Sequence, residues 1–241
     1  MEEKLGRARY VRRLFDSIAS RYDLANLVIT GGRIGGWRRR LLRETDLRNA
    51  GVVLDLATGT GDLALAIARR SPRTRIVGVD LSLEMLRRAR EKLRRVGLAD
   101  RTSFIIADVT ALPFRDGVAD GAVNAFLLRH IVSLPPAFAE FQRVLRPGGK
   151  LGCLELTQPT LPAFRQVYRF LFRYVTPLLG GLVAGDVEPF RYLPRSLDPY
   201  PGAPELSRML RKAGYEDVRC HLLAGGIVAV HVGAKPREEG L

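Results

Sequence analysis

The stretch Val52-Val53-Leu54-Asp55-Leu56-Ala57-Thr58-Gly59-Thr60-Gly61-Asp62-Leu63 decides the fold. Val52 to Leu56 is apolar but for one residue and reads as a short buried strand. A turn closed by Gly59-Thr60-Gly61 follows, and Leu63 to Arg70 then carries a helical pattern. Glycines in such a turn let the backbone come close to a ligand. Alone the turn is unspecific, because Gly59-Thr60-Gly61-Asp62-Leu63-Ala64 also fits the dinucleotide pattern G-x-G-x-x-A. Its acids argue the other way. Asp55 precedes the turn and Asp62 opens the helix, where a pyrophosphate needs free amides. Two carboxylates there are expected to repel a diphosphate and to suit a ligand carrying positive charge.

Downstream the rhythm repeats. Strands are expected at Arg75 to Val79, Ser103 to Ala107, Ala119 to Phe126 and Lys150 to Leu156. Helices run between them over Leu83 to Val96, capped by Ser82 and ended by Gly97, and over Ala137 to Leu145, stopped by Arg146-Pro147-Gly148-Gly149. Strand–helix alternation at this pace makes a parallel sheet with helices on both faces. Residues 160–202 interrupt it with aromatics and prolines. A helix over Glu205 to Ala213 and two strands, Val218 to Leu223 and Ile227 to Val232, close the chain. Gly225-Gly226 joins those strands as an antiparallel hairpin. The expected fold is α/β: a doubly wound, seven-stranded, mostly parallel sheet with an antiparallel C-terminal hairpin. Upstream, Val11, Leu14, Phe15 and Ile18 fall at helical spacing, and Trp37 to Arg43 is a second helical piece. One domain, 1–241, is expected, with a helical entry (1–48), a core (49–157), an insertion (158–202) and a terminal helix and hairpin (203–235).

A chain of 241 residues, 46% hydrophobic, buries a proper core. Two cysteines and three histidines are too few for a disulfide scaffold and argue against a structural zinc site, so no metal is expected. The apolar run Tyr174 to Gly185 is too short to span a membrane. The first residues lack the apolar run of a signal peptide, which makes the cytoplasm the expected compartment. The net charge of +14 suits an anionic membrane surface or nucleic acid, but a generally basic surface explains it more simply.

The acids at strand ends carry the chemistry. Asp80 ends the second strand and is placed to accept two ribose hydroxyls; Asp108 ends the third and is placed to accept an adenine amino group. A single acid after a strand is usually a helix cap, but Asp55, Asp62, Asp80 and Asp108 in succession point to a nucleoside. S-adenosyl-L-methionine, with a sulfonium and an ammonium and no phosphate, fits them.

Val53-Leu54-Asp55-Leu56-Ala57-Thr58-Gly59-Thr60-Gly61-Asp62 resembles the first motif of class I methyltransferases, and Asp80, Asp108 and Leu145-Arg146-Pro147-Gly148-Gly149 resemble the later ones. The resemblance narrows to the UbiE/MenG family, which C-methylates ubiquinone and menaquinone precursors. Phe15-Asp16-Ser17-Ile18-Ala19-Ser20-Arg21-Tyr22-Asp23-Leu24-Ala25-Asn26 is similar to its entry motif, and Asp108-Val109-Thr110-Ala111-Leu112-Pro113-Phe114 to its adenine-side stretch. Gly185-Asp186, Phe190-Arg191-Tyr192-Leu193 and the C-terminal strands resemble its later segments. The resemblance implies cofactor contacts at Asp55, Ala57, Gly59, Thr60, Gly61, Asp80, Leu81, Asp108, Val109 and Ala125, and substrate contacts at Tyr22, Asn26 and Arg129. It implies a prenylated quinol acceptor, demethylmenaquinol first, and transient contact with the inner face of the cytoplasmic membrane. A homodimer stays open.

The chain departs from the family after the fourth strand. Where the family resembles Ser-Phe-Gly-Leu-Arg-Asn, this chain has Ala125-Phe126-Leu127-Leu128-Arg129-His130. Arg129 is retained and is expected to stabilise a phenolate; it does not deprotonate, and the family's arginine is understood to act through water. His130 is expected either to take the phenol proton itself or to point idly into the next helix. Phe164, Val167, Tyr168, Leu171 and Phe172, with Arg165, Arg169 and Arg173 alongside, read as an interfacial cationic helix or as a core-covering one. His231 is expected to be packed or hydrogen-bonded, His221 to lie at the surface, and Cys153 and Cys220 to be buried fillers. The rival readings are a methyltransferase for another small hydrophobic acceptor, an RNA methyltransferase and a cofactor-binding regulator. The sequence shows no RNA-binding module, and no nucleic-acid partner is expected.

Overall fold

The computed structural model describes residues 2–159 and 161–237. Three helices open the chain: α1 (Glu2–Ile18), α2 (Tyr22–Ile29) and α3 (Ile34–Thr45). The alternating core follows as β1 (Val52–Leu56), α4 (Asp62–Arg70), β2 (Arg75–Asp80), α5 (Leu83–Arg95), β3 (Thr102–Ile106), β4 (Ala119–Ala125), α6 (Leu134–Val144) and β5 (Leu145–Leu156). The described part of the insertion holds α7 (Pro162–Phe170), a π turn over Leu171–Val175, α8 (Thr176–Ala184) and α9 (Glu188–Leu197). α10 (Ala203–Lys212), β6 (Glu216–Leu223) and β7 (Val228–Ala234) complete it.

All seven strands form one sheet in the order β3-β2-β1-β4-β5-β7-β6. β1 to β5 are parallel, and β7 runs antiparallel to both β5 and β6. The chain winds outward from β1 to β3, then returns to β4 on the other side of β1. The order therefore reverses between β1 and β4, and a crevice opens at their carboxyl ends, where doubly wound sheets bind ligands. β1 is buried along nearly its whole length, as a central parallel strand must be, which is why it is nearly all apolar.

Two cores cover the faces. Phe138 and Phe141 of α6 pack with Leu151, Leu206 and Tyr215 on one; Leu41 and Leu42 of α3 pack with Ile67 and Val230 on the other. A smaller cluster of Ile18, Ala25 and Phe190 joins the entry helices to α9.

Most departures from the sequence reading lie at element ends. Arg146-Pro147-Gly148-Gly149 does not lie outside the fifth strand. It is a bulge within β5, which pairs Leu145 with Ala119 and Lys150 with Gly121. α6 and α10 begin earlier than expected because Pro135, Pro136 and Pro204 occupy first turns, where a missing N–H costs nothing. Cys153 is buried, but Cys220 is exposed on edge strand β6, contrary to expectation. His231 is buried and donates from Nε2 to the Ala203 carbonyl at 2.9 Å. His221 is not a free surface residue, since its Nε2 lies 2.9 Å from Glu44.

Gly61 opens α4 with φ +79°, and a Cβ there would lie 2.9 Å from the Ala89 Cβ of α5. Gly61→Ala therefore combines backbone strain with a collision between two helices, and urea unfolding should show a loss of about 2 kcal/mol. Gly97→Ala has a similar φ of +70° but meets nothing within 4 Å, and should cost only about 1 kcal/mol.

Candidate active site

The carboxyl ends of β1 to β4 floor a cavity with about 950 Å³ of empty space. Ala57, Gly59, Asp80, Leu81, Asp108, Val109 and Ala125, all expected as cofactor contacts, line it. Ala57 and Gly59 both hold positive φ, 57° and 55°, which turns the loop back over the strand end. A Cβ on Gly59 would meet nothing within 4 Å, so the glycine leaves ligand space rather than packing space.

Asp80 is fixed by backbone. Its Oδ2 accepts from the Gly59 amide at 2.8 Å and its Oδ1 from the Ser82 amide at 2.9 Å. Burial raises its pKa and these amides lower it. A carboxylate has about four acceptor sites, so capacity remains for a ligand hydroxyl. Asp108 uses Oδ1 to accept from the amide (2.8 Å) and hydroxyl (2.7 Å) of Thr110, leaving Oδ2. Among the described residues, Arg12 of α1 is the one cationic side chain of the lining. Two acids with spare acceptor sites and a glycine cradle fit a nucleoside without phosphate, as S-adenosylmethionine requires.

The other acids do different work. Asp55 lies beneath the loop, 1% exposed, and accepts from the Thr58 hydroxyl at 2.6 Å. Burial pushes its pKa up to about 7. Asp62 does not face a ligand: it is ion-paired to Arg38 of α3 and Lys92 of α5. The expectation that its charge selects a cationic ligand is corrected accordingly. Thr60 donates to Asp23 of the entry helix α2, and Asp23 also pairs with Lys92. Asp55, Thr60 and Gly61 are thus absent from the cavity wall. Their contacts tie the loop to α2, α3 and α5. The entry segment also closes the cavity from above, with Val11 and Phe15 in its wall and Asp16 accepting from the Ser82 hydroxyl.

A second cavity of about 1350 Å³ adjoins the first, and Phe15, Tyr22 and Phe126 line both. Tyr22, Asn26 and Arg129 meet in it, together with apolar side chains of α7 to α9. Arg129 is 5% exposed and ion-paired to Glu155, which is 1% exposed. The same carboxylate accepts from the Leu156 amide at 2.9 Å and lies 3.4 Å from the Arg129 amide. The guanidinium sits 5.7 Å from the Phe126 ring centroid, and Phe126 itself holds φ +63°. Arg129 Nε is buried with no partner.

His130 belongs to the first cavity. It does not point into α6. It stacks on Tyr192 at 5.4 Å, meets the Phe15 ring edge-on, and places Nδ1 3.1 Å from the Tyr192 hydroxyl. Burial, then the charges of Arg129 and Arg7, hold its pKa well below the usual imidazole value. Sequence reasoning missed Glu155, Phe126 and Tyr192. Glu155 did leave a signal, being an acid inside an apolar strand, where a buried charge demands a partner.

Sheet order and strand-end acids together define a class I S-adenosylmethionine-dependent methyltransferase. Solved structures agree on the fold. The [4+2]-cyclase SpnF superposes with a TM-score of 0.70 at 18% identity, covering 95% of this chain and 96% of that one. An S-adenosylmethionine-dependent methyltransferase from Aquifex aeolicus superposes with 0.58 at 17% identity, covering 82% and 88%. The model of the ubiE/COQ5 methyltransferase family matches residues 2–235, and the chain belongs to that family. The ubiquinone/menaquinone biosynthesis C-methyltransferase UbiE of Syntrophotalea carbinolica is 43% identical over 93% of each chain. The demethylmenaquinone methyltransferase of Thermus thermophilus is 43% identical over 92% of this chain and all of that one. The one from Staphylococcus aureus is 34% identical over 99% and 98%.

Asp55 makes a pH prediction. Its folded pKa of about 7 exceeds the ordinary carboxylate value of 3.8, so the native state holds the extra proton and stability falls as pH rises between those values. The span corresponds to at most about 4 kcal/mol. Asp55→Asn should flatten this slope in urea titrations of the free protein and leave the variant more stable than wild type at pH 8.

Proposed function

We propose that the protein methylates a ring carbon of a prenylated quinol, with demethylmenaquinol the acceptor to which its relatives' names point. The observation that carries this reading is Arg129: a buried cation in the wall of a largely apolar cavity that shares Phe15, Tyr22 and Phe126 with the nucleoside cavity. A hydroxyaryl ring fits between the apolar walls, and its oxygen needs such a cation.

S-adenosylmethionine supplies an electrophilic methyl on a sulfonium. Arg129 stabilises the phenolate whose ortho carbon accepts that methyl, through the donors that Glu155 leaves available. Glu155 keeps the guanidinium fixed, so no reorganisation is needed as charge develops. His130 is a weak base in its surroundings and serves as a neutral wall group rather than as the proton acceptor. The phenol proton passes to solvent, the S–CH3 bond breaks as the C–CH3 bond forms, and loss of the ring C–H proton restores the aromatic ring while S-adenosylhomocysteine leaves. The shared aromatic residues keep the ring against the methyl and exclude bulk solvent.

The positions where the chain departs from its family support the quinol rather than another phenolic acceptor. Ala125, Leu127 and His130 all line the nucleoside cavity, and none lines the acceptor cavity. The acceptor wall is therefore untouched by the departures.

A polyprenyl acceptor enters from a membrane. Among the described residues no helix is long and apolar enough to cross one. The insertion nevertheless exposes Val167, Phe170 (61%), Tyr174, Leu178 and Leu182 (74%) along α7 and α8, while Tyr168, Leu171 and Phe172 line the acceptor cavity. Arg169 and Arg173 lie exposed beside this strip. The helices rest with their apolar strip in the inner leaflet, the cavity opening next to it.

Incubation with methyl-labelled S-adenosylmethionine and a reduced short-tail demethylmenaquinone should place label in the organic extract, and Arg129→Ala should lower turnover at least ~100-fold. His130→Ala should keep the pH profile of wild type. No label from protein that binds the cofactor would refute the quinol assignment. In flotation with anionic vesicles, wild type should rise with the lipid and Leu178→Glu/Leu182→Glu should stay below, with activity on a tail-less quinol unchanged.

A further inference from the structure

The acceptor cavity holds a polar group that the reaction at Arg129 does not use. Tyr168 of α7 lines the cavity, and its hydroxyl is buried with no hydrogen-bond partner. Its ring is held in place, stacked on Phe172 at 5.2 Å with planes 15° apart. Burial raises its pKa, and the charges of Arg129 and Glu155 both act on it, so the phenol stays protonated beside that pair. The Arg129 Nε is likewise buried without a partner. Two residues that line one largely apolar cavity thus each carry a buried polar atom without a partner, one from the turn after β4 and one from the insertion. Buried polar groups are satisfied in native complexes, and an acceptor with a single oxygen engages one of them and leaves the other unpaired.

We infer that Tyr168 is a specificity-determining residue that hydrogen-bonds a second ring oxygen, and that the site selects a 1,4-dihydroxyarene over a monohydroxyarene. Arg129 takes the oxygen beside the reacting carbon, where negative charge develops. Tyr168 donates to the oxygen across the ring, where no charge need form, as a neutral phenol suits. This rests on the quinol reading and adds which oxygen each group holds. It also gives the insertion a role in chemical selection besides entry.

The test compares two acceptors under steady-state methyl transfer. One is a 2-prenyl-1,4-naphthalenediol; the other lacks only the hydroxyl distal to the reacting carbon. Wild type should prefer the diol by about tenfold or more in kcat/KM, because a site built to bond a hydroxyl rejects the analogue without it. Tyr168→Phe keeps the stacked ring and removes an unpaired hydroxyl, so the fold is retained. It should lower kcat/KM for the diol about tenfold, mainly through KM, and leave the deoxy acceptor within about twofold of wild type, so that the preference collapses. Equal losses on both acceptors would place Tyr168 on the same oxygen as Arg129 or in a purely structural role, and would overturn the inference. So would a preference unchanged in the variant. Methylation of neither acceptor by wild type that binds the cofactor would instead overturn the quinol reading, and this one with it.

Discussion

The buried ion pair of Arg129 and Glu155 is the constraint on which the site depends. Two charges, 5% and 1% exposed, are held out of water, and Arg129 forms part of the wall of a largely apolar cavity. Burial of such a pair is unfavourable unless geometry and further hydrogen bonds compensate. Here β5 supplies the carboxylate from a register locked between β4 and β7, and the Leu156 amide satisfies it further. The turn after β4 presents the guanidinium, at the expense of a positive φ at Phe126. Such strain costs on the order of 1–3 kcal/mol and persists where the surroundings over-determine it. Arg7 of the entry helix adds a hydrogen bond to the Arg129 carbonyl at 3.2 Å, so the same turn also receives α1.

From that pair the two cavities divide their tasks. Backbone amides and strand-end acids build the nucleoside side, where Asp80 is pinned by the Gly59 amide of the glycine turn and Asp108 by its own loop. The acceptor side is built largely by aromatic and aliphatic side chains, with the Arg129 guanidinium and the Tyr168 phenol among them. Phe15, Tyr22 and Phe126 are the partition, and two of them come from the entry segment. The network of Asp23, Thr60, Lys92, Asp62 and Arg38 holds that segment against the glycine turn.

Periodicity and punctuation made the sheet legible. Val52 to Leu56 had to be a central strand, and the acids after β2 and β3 had to sit at the crevice, because strand ends and topology leave them no other place. Partners distant in sequence were not legible. Asp62 looked like a ligand group because Arg38 and Lys92 meet it only in the folded chain. The insertion was read as one stripe, yet the π turn over Leu171–Val175 resets the helical phase. Tyr168 and Phe172 line the acceptor cavity, while Val167, Phe170 and Tyr174 are exposed. His130 offered a titratable group to the sequence, but its burial beside Arg129 removes the basicity that made it attractive.

Turnover of Glu155→Gln measures the central claim most directly. The substitution keeps shape and acceptor oxygen but removes the charge that fixes Arg129. The account predicts a fall in kcat for quinol methylation of at least ~10-fold with cofactor affinity unchanged, since Glu155 lies outside the nucleoside cavity. Wild-type kcat in a folded Glu155→Gln protein would contradict it.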